Sequence, residues 1–117
     1  MAEFFGNLPD GAETTLYTIS CGELVAKATN YGAALVSLLV PDRQGRVADV
    51  VLGCDDVSGY AGFSFLGATV GRNANRIKNA RFQLDGQVWK VQPMFGPHNL
   101  HSGPDFFHRR LWTAENV

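Results

Sequence analysis

At 117 residues the chain has the size of one ordinary domain, long enough to bury one hydrophobic core and too short for two. Apolar residues make up 45% and charged residues 18%, with ten basic against eleven acidic side chains and a formal net charge of -1. That balance supplies no field for nucleic acid or an anionic membrane, and no stretch approaches the roughly 18 apolar residues of a membrane span.

The N-terminal run MAEFFGNLPDGAE has neither a basic leader region nor a long apolar one, so a cytoplasmic location is expected. Two cysteines, Cys21 and Cys54, lack any CxxC spacing and are expected as buried free thiols, with a disulfide between them as the lesser reading. TLYTIS (15 to 20) and LVAKAT (24 to 29) flank Cys21-Gly22-Glu23 and predict a hairpin with a short loop. AALVSLLV (33 to 40) is nearly all apolar and predicts a strand buried on both faces, ended by the turn formers of PDRQG. VADVVLG (47 to 53) predicts the next strand, and CDDVSGYAGF (54 to 63) a turn or short helix with Asp55 or Asp56 as its N-cap. In RFQLDGQVWKVQ (81 to 92), Asp85-Gly86 between alternating segments predicts a two-residue hairpin. Its register sets Leu84 opposite Gln87 and Phe82 opposite Trp89, and the face carrying Phe82, Leu84, Trp89 and Val91 is expected to cover the core. RRLWTAENV (109 to 117) predicts a further strand running to the chain end.

No segment sustains a 3.6-residue apolar period, and thirteen glycines with five prolines favour many turns. The predicted fold is therefore an all-β, antiparallel β-sandwich. Without an internal repeat or a composition break, residues 1–117 read as one domain or part of one.

Chemistry concentrates in two segments. The first, GRNANRI (71 to 77), places Arg72, Asn75 and Arg76 behind the apolar FLGATV. A regular strand would send Asn75 and Arg76 to opposite faces, whereas Gly71 and the asparagines favour a bulge or loop that turns both side chains to one pocket. Guanidinium forks and an amide suit the hydroxyl-rich rim of a sugar. The competing reading is structural, with the arginines on backbone carbonyls at a sheet edge and the asparagines making a turn. The second segment, GPHNLHSGPDFFH (96 to 108), carries His98 and His101 in a Gly- and Pro-punctuated loop. HxxH beside Asp105 offers metal donors, but no second cluster supports a metal site and none is expected. A loop imidazole is well placed to donate or accept a hydrogen bond to a ligand. Neither a GxSxG elbow nor a GxxxxGK[ST] phosphate loop occurs.

GRNANRI followed by HNLHSG, with Arg76 and His101 25 positions apart, resembles the aldose 1-epimerase (galactose mutarotase) family. There a GRxANRI segment leads into a short hairpin and then an NxLHGG loop. NYGAALVSLLVPDRQGRVADVVLG and the LDG turn before Trp89 are similar to that family as well, and the likeness runs over roughly residues 16 to 112. Ser102 departs from the family's usual glycine. The resemblance implies the N-terminal part of a much longer galactose mutarotase-like β-supersandwich.

It also implies an activity, the interconversion of α and β anomers of a hexose such as galactose or glucose. A carboxylate base takes the proton of the C1 hydroxyl and a histidine acid protonates the ring oxygen; the ring opens, C1 rotates and the ring recloses. Asn75 and Arg76 match sugar-binding positions, and His101 matches the first active-site histidine, which binds and orients the substrate. The principal acid and base of the family lie downstream of this loop, and His108 and Glu115 match neither. The resemblance thus implies an incomplete epimerase site, or a non-catalytic carbohydrate-binding or structural piece, or a segment like a hexose-6-phosphate 1-epimerase. No cofactor is expected. The expected partners are a hexose and, through unpaired strand edges, a second copy or a complementing C-terminal chain.

Overall fold

A computed structural model of the protein describes residues 1–62 and 64–115. Phe63 at the end of the 54–63 segment, and Asn116 and Val117 of the C-terminal run, lie outside the described residues. The chain divides into two units, one formed by Met1–Thr69 with the C-terminal stretch from His108, the other by Val70–Phe107.

The first unit is built on a five-stranded antiparallel meander of β1 (Ala2–Asn7), β2 (Glu13–Cys21), β3 (Leu24–Thr29), β4 (Ala34–Pro41) and β5 (Val47–Asp49), side by side in chain order. The predicted β2–β3 hairpin is present, closed by Gly22 and Glu23 with Cys21 paired to Leu24. Sequence reasoning missed β1, whose AEFFGN is too short and irregular to show a period. Its irregularity is a bulge: Phe4 pairs with Thr15 and Gly6 with Thr14, leaving Phe5 unpaired. A second bulge lies between β3 and β4, where Lys27 faces Ser37 and Ala28 faces Leu35, leaving Val36 unpaired. Both extra residues, Phe5 and Val36, end in the core.

That core consists of Phe5, Leu16, Tyr31, Ala34, Val36, Val57 and Tyr60. Val57 and Tyr60 are delivered by the loop and the four-residue helix α1 (Ser58–Ala61). The Val57 N–H donates to the Phe5 carbonyl at 3.0 Å, and the Cys54 N–H to the Tyr60 hydroxyl at 2.8 Å. Burial of the Tyr60 phenol raises its pKa, which keeps it a neutral partner for that N–H. Gly53 sits where a Cβ would collide with the Val36 carbonyl, so the loop can close this tightly only without a side chain.

Several expectations are corrected here. β4 is not buried on both faces: Ala34 and Val36 are buried, while Leu35, Leu38 and Leu39 are half-buried. Cover comes from the side of Val57 and Tyr60, and the bulge at Val36 interrupts the alternation. β5 is three residues, not seven, because the Asp49 carboxylate takes the place of ladder partners. It accepts from the Leu38 N–H at 3.0 Å, the Val51 N–H at 3.0 Å and the Ser37 hydroxyl at 2.6 Å. The N-cap of α1 is Val57, and the Asp56 carboxylate accepts from the Ser58 N–H at 2.7 Å without capping the helix. Both cysteines are free, but Cys21 is exposed because it closes a hairpin tip; Cys54 is half-buried. The 109–117 run forms no strand among the described residues, only a single bridge of Leu111 to Tyr31.

The second unit holds two short antiparallel pairs. β6 (Arg76–Ile77) pairs with β9 (Asn99–Leu100), and β7 (Arg81–Leu84) with β8 (Gln87–Lys90). The β7–β8 register is the predicted one, with Phe82 opposite Trp89 and Leu84 opposite Gln87. Its apolar face does not cover a core, however: Phe82, Leu84 and Trp89 are 40%, 55% and 51% exposed. A two-stranded hairpin lacks the second layer that would bury one of its faces. No helix among the described residues is long and apolar enough to cross a membrane.

Candidate functional site

The second unit brings Asn75, Arg76 and His101 together, and the short β6–β9 ladder is the reason. Arg76 pairs with Leu100, and both Asn99 and Leu100 are buried, which anchors one side of the ladder. Asn99 is 2% exposed, and its side-chain amide donates to the carbonyls of Gln92 and Gly103, each at 2.9 Å. That pair of bonds ties both flanks of the HNLHSG loop to one buried side chain.

One position beyond the ladder, Asn75 faces His101. The His101 N–H donates to the Asn75 carbonyl at 2.9 Å, and the Asn75 N–H donates to His101 Nδ1 at 2.9 Å. Because Nδ1 accepts, the neutral ring carries its proton on Nε2; the network assigns the tautomer. The backbone departs from strand geometry here, with φ of 62° at Asn75, 50° at His101 and 58° at Ser102. Asparagine and histidine tolerate that left-handed region better than most residues. The segment is therefore the loop that the glycine and asparagines of GRNANRI favour, and the strict alternation of a strand does not apply.

With the alternation broken, neighbouring side chains meet. Arg76 Nη1 donates to Asn75 Oδ1 at 3.2 Å, and the Arg76 guanidinium lies 4.8 Å from the centroid of the Phe95 ring. Both residues are exposed, and His101 is half-buried. Arg72 is exposed too, with its guanidinium 5.8 Å from the Phe107 ring. Gly71, just before it, lies where a Cβ would come within 2.9 Å of that same ring. Among the described residues these arginines meet aromatic faces and an amide, in place of the backbone carbonyls that the structural reading expects.

The remaining sequence candidates stand apart. His98 Nδ1 accepts from the Asn79 N–H at 3.0 Å and so serves the turn at Lys78–Ala80. Among the described residues no group of three or more His, Cys, Asp or Glu side chains gathers to hold a metal ion. His108 belongs to the first unit, where it is buried with its ring 4.5 Å from Phe65. Sequence reasoning missed Phe95 as the platform under Arg76, Asn99 as the buried anchor, and Asn73 with Ser102. Asn73 lies in GRNANRI, and Asn99 and Ser102 in HNLHSG, but residue type there signalled loops and not these long-range partners.

The family model described as aldose 1-epimerase matches residues 15–117. Galactose mutarotase of Bos taurus is 42% identical over 111 residues, covering 93% of this chain and 32% of that protein. Aldose 1-epimerase of Escherichia coli is 37% identical over 110 residues, covering 92% of this chain and 32% of that protein. Among solved structures, a GalM/aldose epimerase homologue from C. elegans superposes with a TM-score of 0.77 at 36% identity, covering 89% of this chain and 33% of that one. Galactose 1-epimerase from Lactobacillus acidophilus superposes with a TM-score of 0.76 at 21% identity over 99% of this chain and 35% of that one, a likeness of fold. The chain thus spans about a third of the length of the relatives it matches, and its fold is an N-terminal portion of the galactose mutarotase-like antiparallel β-sandwich.

Proposed function

The chain belongs to the aldose 1-epimerase family, and on that premise we propose that Asn75, Arg76 and His101 form the hexose-binding part of an anomer-interconverting site. The observation that carries this reading is the juxtaposition of the three residues: two bonds tie the Asn75 backbone to His101, and Arg76 Nη1 donates to Asn75 Oδ1.

The chemistry of the three groups is complementary. Arg76 offers a rigid fork of donors to adjacent hydroxyls, and its stacking on Phe95 restricts the fork's orientation. The Asn75 amide carries both donor and acceptor. His101, with its proton on Nε2, is a donor that binds and orients a sugar oxygen during ring opening. The general acid and base of the full reaction are not assigned to residues of this chain. An enzyme of this family acting as a mutarotase takes them from elsewhere in the fold, either from further sequence or from a complementing chain.

A second reading, carbohydrate binding without turnover, draws on the chemistry of the three groups brought together, an amide, a guanidinium and an imidazole with no carboxylate base among them. A third, a hexose-6-phosphate substrate, draws on the exposure of both Arg72 and Arg76. Exchange spectroscopy on the anomeric protons of galactose, glucose and glucose 6-phosphate separates the three. Exchange above the buffer rate that is lost in His101→Ala supports the epimerase reading. Saturable binding with exchange at the buffer rate supports the non-catalytic one, preference for the phosphorylated sugar supports the third, and absence of binding to all three sugars overturns the proposed site.

A further inference from the structure

The Asn75–His101 pair lies beyond the last ladder rung, where left-handed φ values at His101 and Ser102 turn the backbone of one side away. Asn75 is still held by the backbone bond from the His101 N–H to its carbonyl, but regular pairing does not extend to residues 71–74. What continues the pairing is a side chain. Ser102 Oγ accepts from the Asn73 N–H at 2.8 Å and donates to the Asn73 carbonyl at 3.2 Å, filling the role of a backbone partner for both polar groups of one residue. Ser102 does this with a φ of 58°, in a region that strains a residue bearing a Cβ and that glycine enters readily. A hydroxyl kept in a strained position, with both of its hydrogen-bonding functions on the segment that carries Asn75, is suited to setting that segment's register.

We propose that Ser102 is a positioning residue for the sugar site: by clasping Asn73 it holds the Asn75 N–H on His101 Nδ1, and so keeps the imidazole proton on Nε2. The ring then meets a sugar oxygen as a donor. Released from the clasp, Asn75 no longer dictates the tautomer, and the neutral imidazole divides between its two forms. The ligand side of this inference rests on the hexose reading above; the tautomer side does not.

Two variants of the full chain separate the hydroxyl from the backbone strain. Ser102→Ala keeps the Cβ and its strained φ but removes the hydroxyl; Ser102→Gly removes the hydroxyl and relieves the strain. The readouts are the imidazole nitrogen shifts of His101 at about pH 8, where an ordinary histidine is neutral, the amide exchange of Asn73 and Asn75, and titration with galactose. Wild type is expected to show one tautomer, with a protonated Nε2 and an unprotonated Nδ1. Both variants are expected to show mixed tautomers, amide exchange at Asn73 and Asn75 faster by about tenfold, and galactose affinity weaker by about five- to tenfold, as the loss of one to two net hydrogen bonds implies. Ser102→Gly is also expected to keep the thermal stability of wild type, which sets the effect apart from unfolding. A single Nε2–H tautomer with slow Asn73 and Asn75 exchange in Ser102→Gly overturns the proposal. If wild type binds no galactose while the tautomer shifts as expected, the hexose reading fails and the positioning role stands.

Discussion

Both units bury apolar side chains, Leu100 and Phe106 among them in the second, but they differ in what accompanies that burial. In the first, an apolar cluster of Phe5, Leu16, Ala34, Val36, Val57 and Tyr60 sits against a five-stranded meander. In the second, two pairs of strands no longer than four residues carry a network of polar bonds centred on Asn99, Asn73, Asn75 and His101. Apolar burial is non-directional and tolerates exchange among side chains of similar size, whereas each polar bond depends on one donor meeting one acceptor. A binding site built in the second way gains fixed geometry at the cost of sensitivity to single-atom changes.

That contrast can be broken most forcefully at Phe5. Truncation to alanine in Phe5→Ala empties the centre of the core and is expected to cost about 3–5 kcal/mol, comparable to the whole stability of a small domain. Denaturant melts monitored by far-UV circular dichroism check it. Next comes Asn99→Ala, which removes the donor to the part-buried Gln92 carbonyl and orphans the buried Gly103 carbonyl, and is expected to cost about 2–3 kcal/mol. Faster amide exchange confined to residues 92–103 would mark the loss as local.

Acid probes the first unit through one of its polar groups, the Asp49 carboxylate. The Ser37 hydroxyl, then the N–H groups of Leu38 and Val51, hold the Asp49 carboxyl below its ordinary value of 3.8. A depressed folded pKa contributes stability that is fully present above 3.8 and is lost as pH falls through the lower folded value. Wild type is therefore expected to lose stability in that acid window, and Asp49→Asn to show a flatter profile there while being less stable at neutral pH. Melts at a series of pH values compare the two. The smallest effect is expected at the β7–β8 hairpin, where Leu84→Ala should change stability by less than about 0.5 kcal/mol, since its side chain is 55% exposed.

Legibility in the sequence follows the same division. Period-2 patterns and turn residues made β2, β3, β4 and the Asp85-Gly86 hairpin readable, with the correct register for the last. They failed where polar side chains replaced backbone partners, as at Asp49, which ends β5 after three residues. They failed also where a bulge re-aimed a residue, as at Phe5 and Val36. Alternation predicted a covered face for Phe82, Leu84 and Trp89, but alternation reports only which residues share a face. At the site, residue types and the resemblance pointed to Asn75, Arg76 and His101, and glycine with asparagine pointed to a loop. The Phe95 platform, the Asn99 anchor and the Ser102 clasp depend on long-range geometry that no local pattern carries.

We propose that the polar network of the second unit presents Asn75, Arg76 and His101 to a hexose. The most direct test is a galactose titration of the isotope-labelled chain, following the backbone amides of Asn75, Arg76 and His101 by NMR. Saturable shifts centred on those amides, absent in Arg76→Ala and absent from the amides of Phe5 and Val36, are the predicted result. Shifts that do not saturate, or that centre on residues outside 71–77 and 96–103, would contradict it.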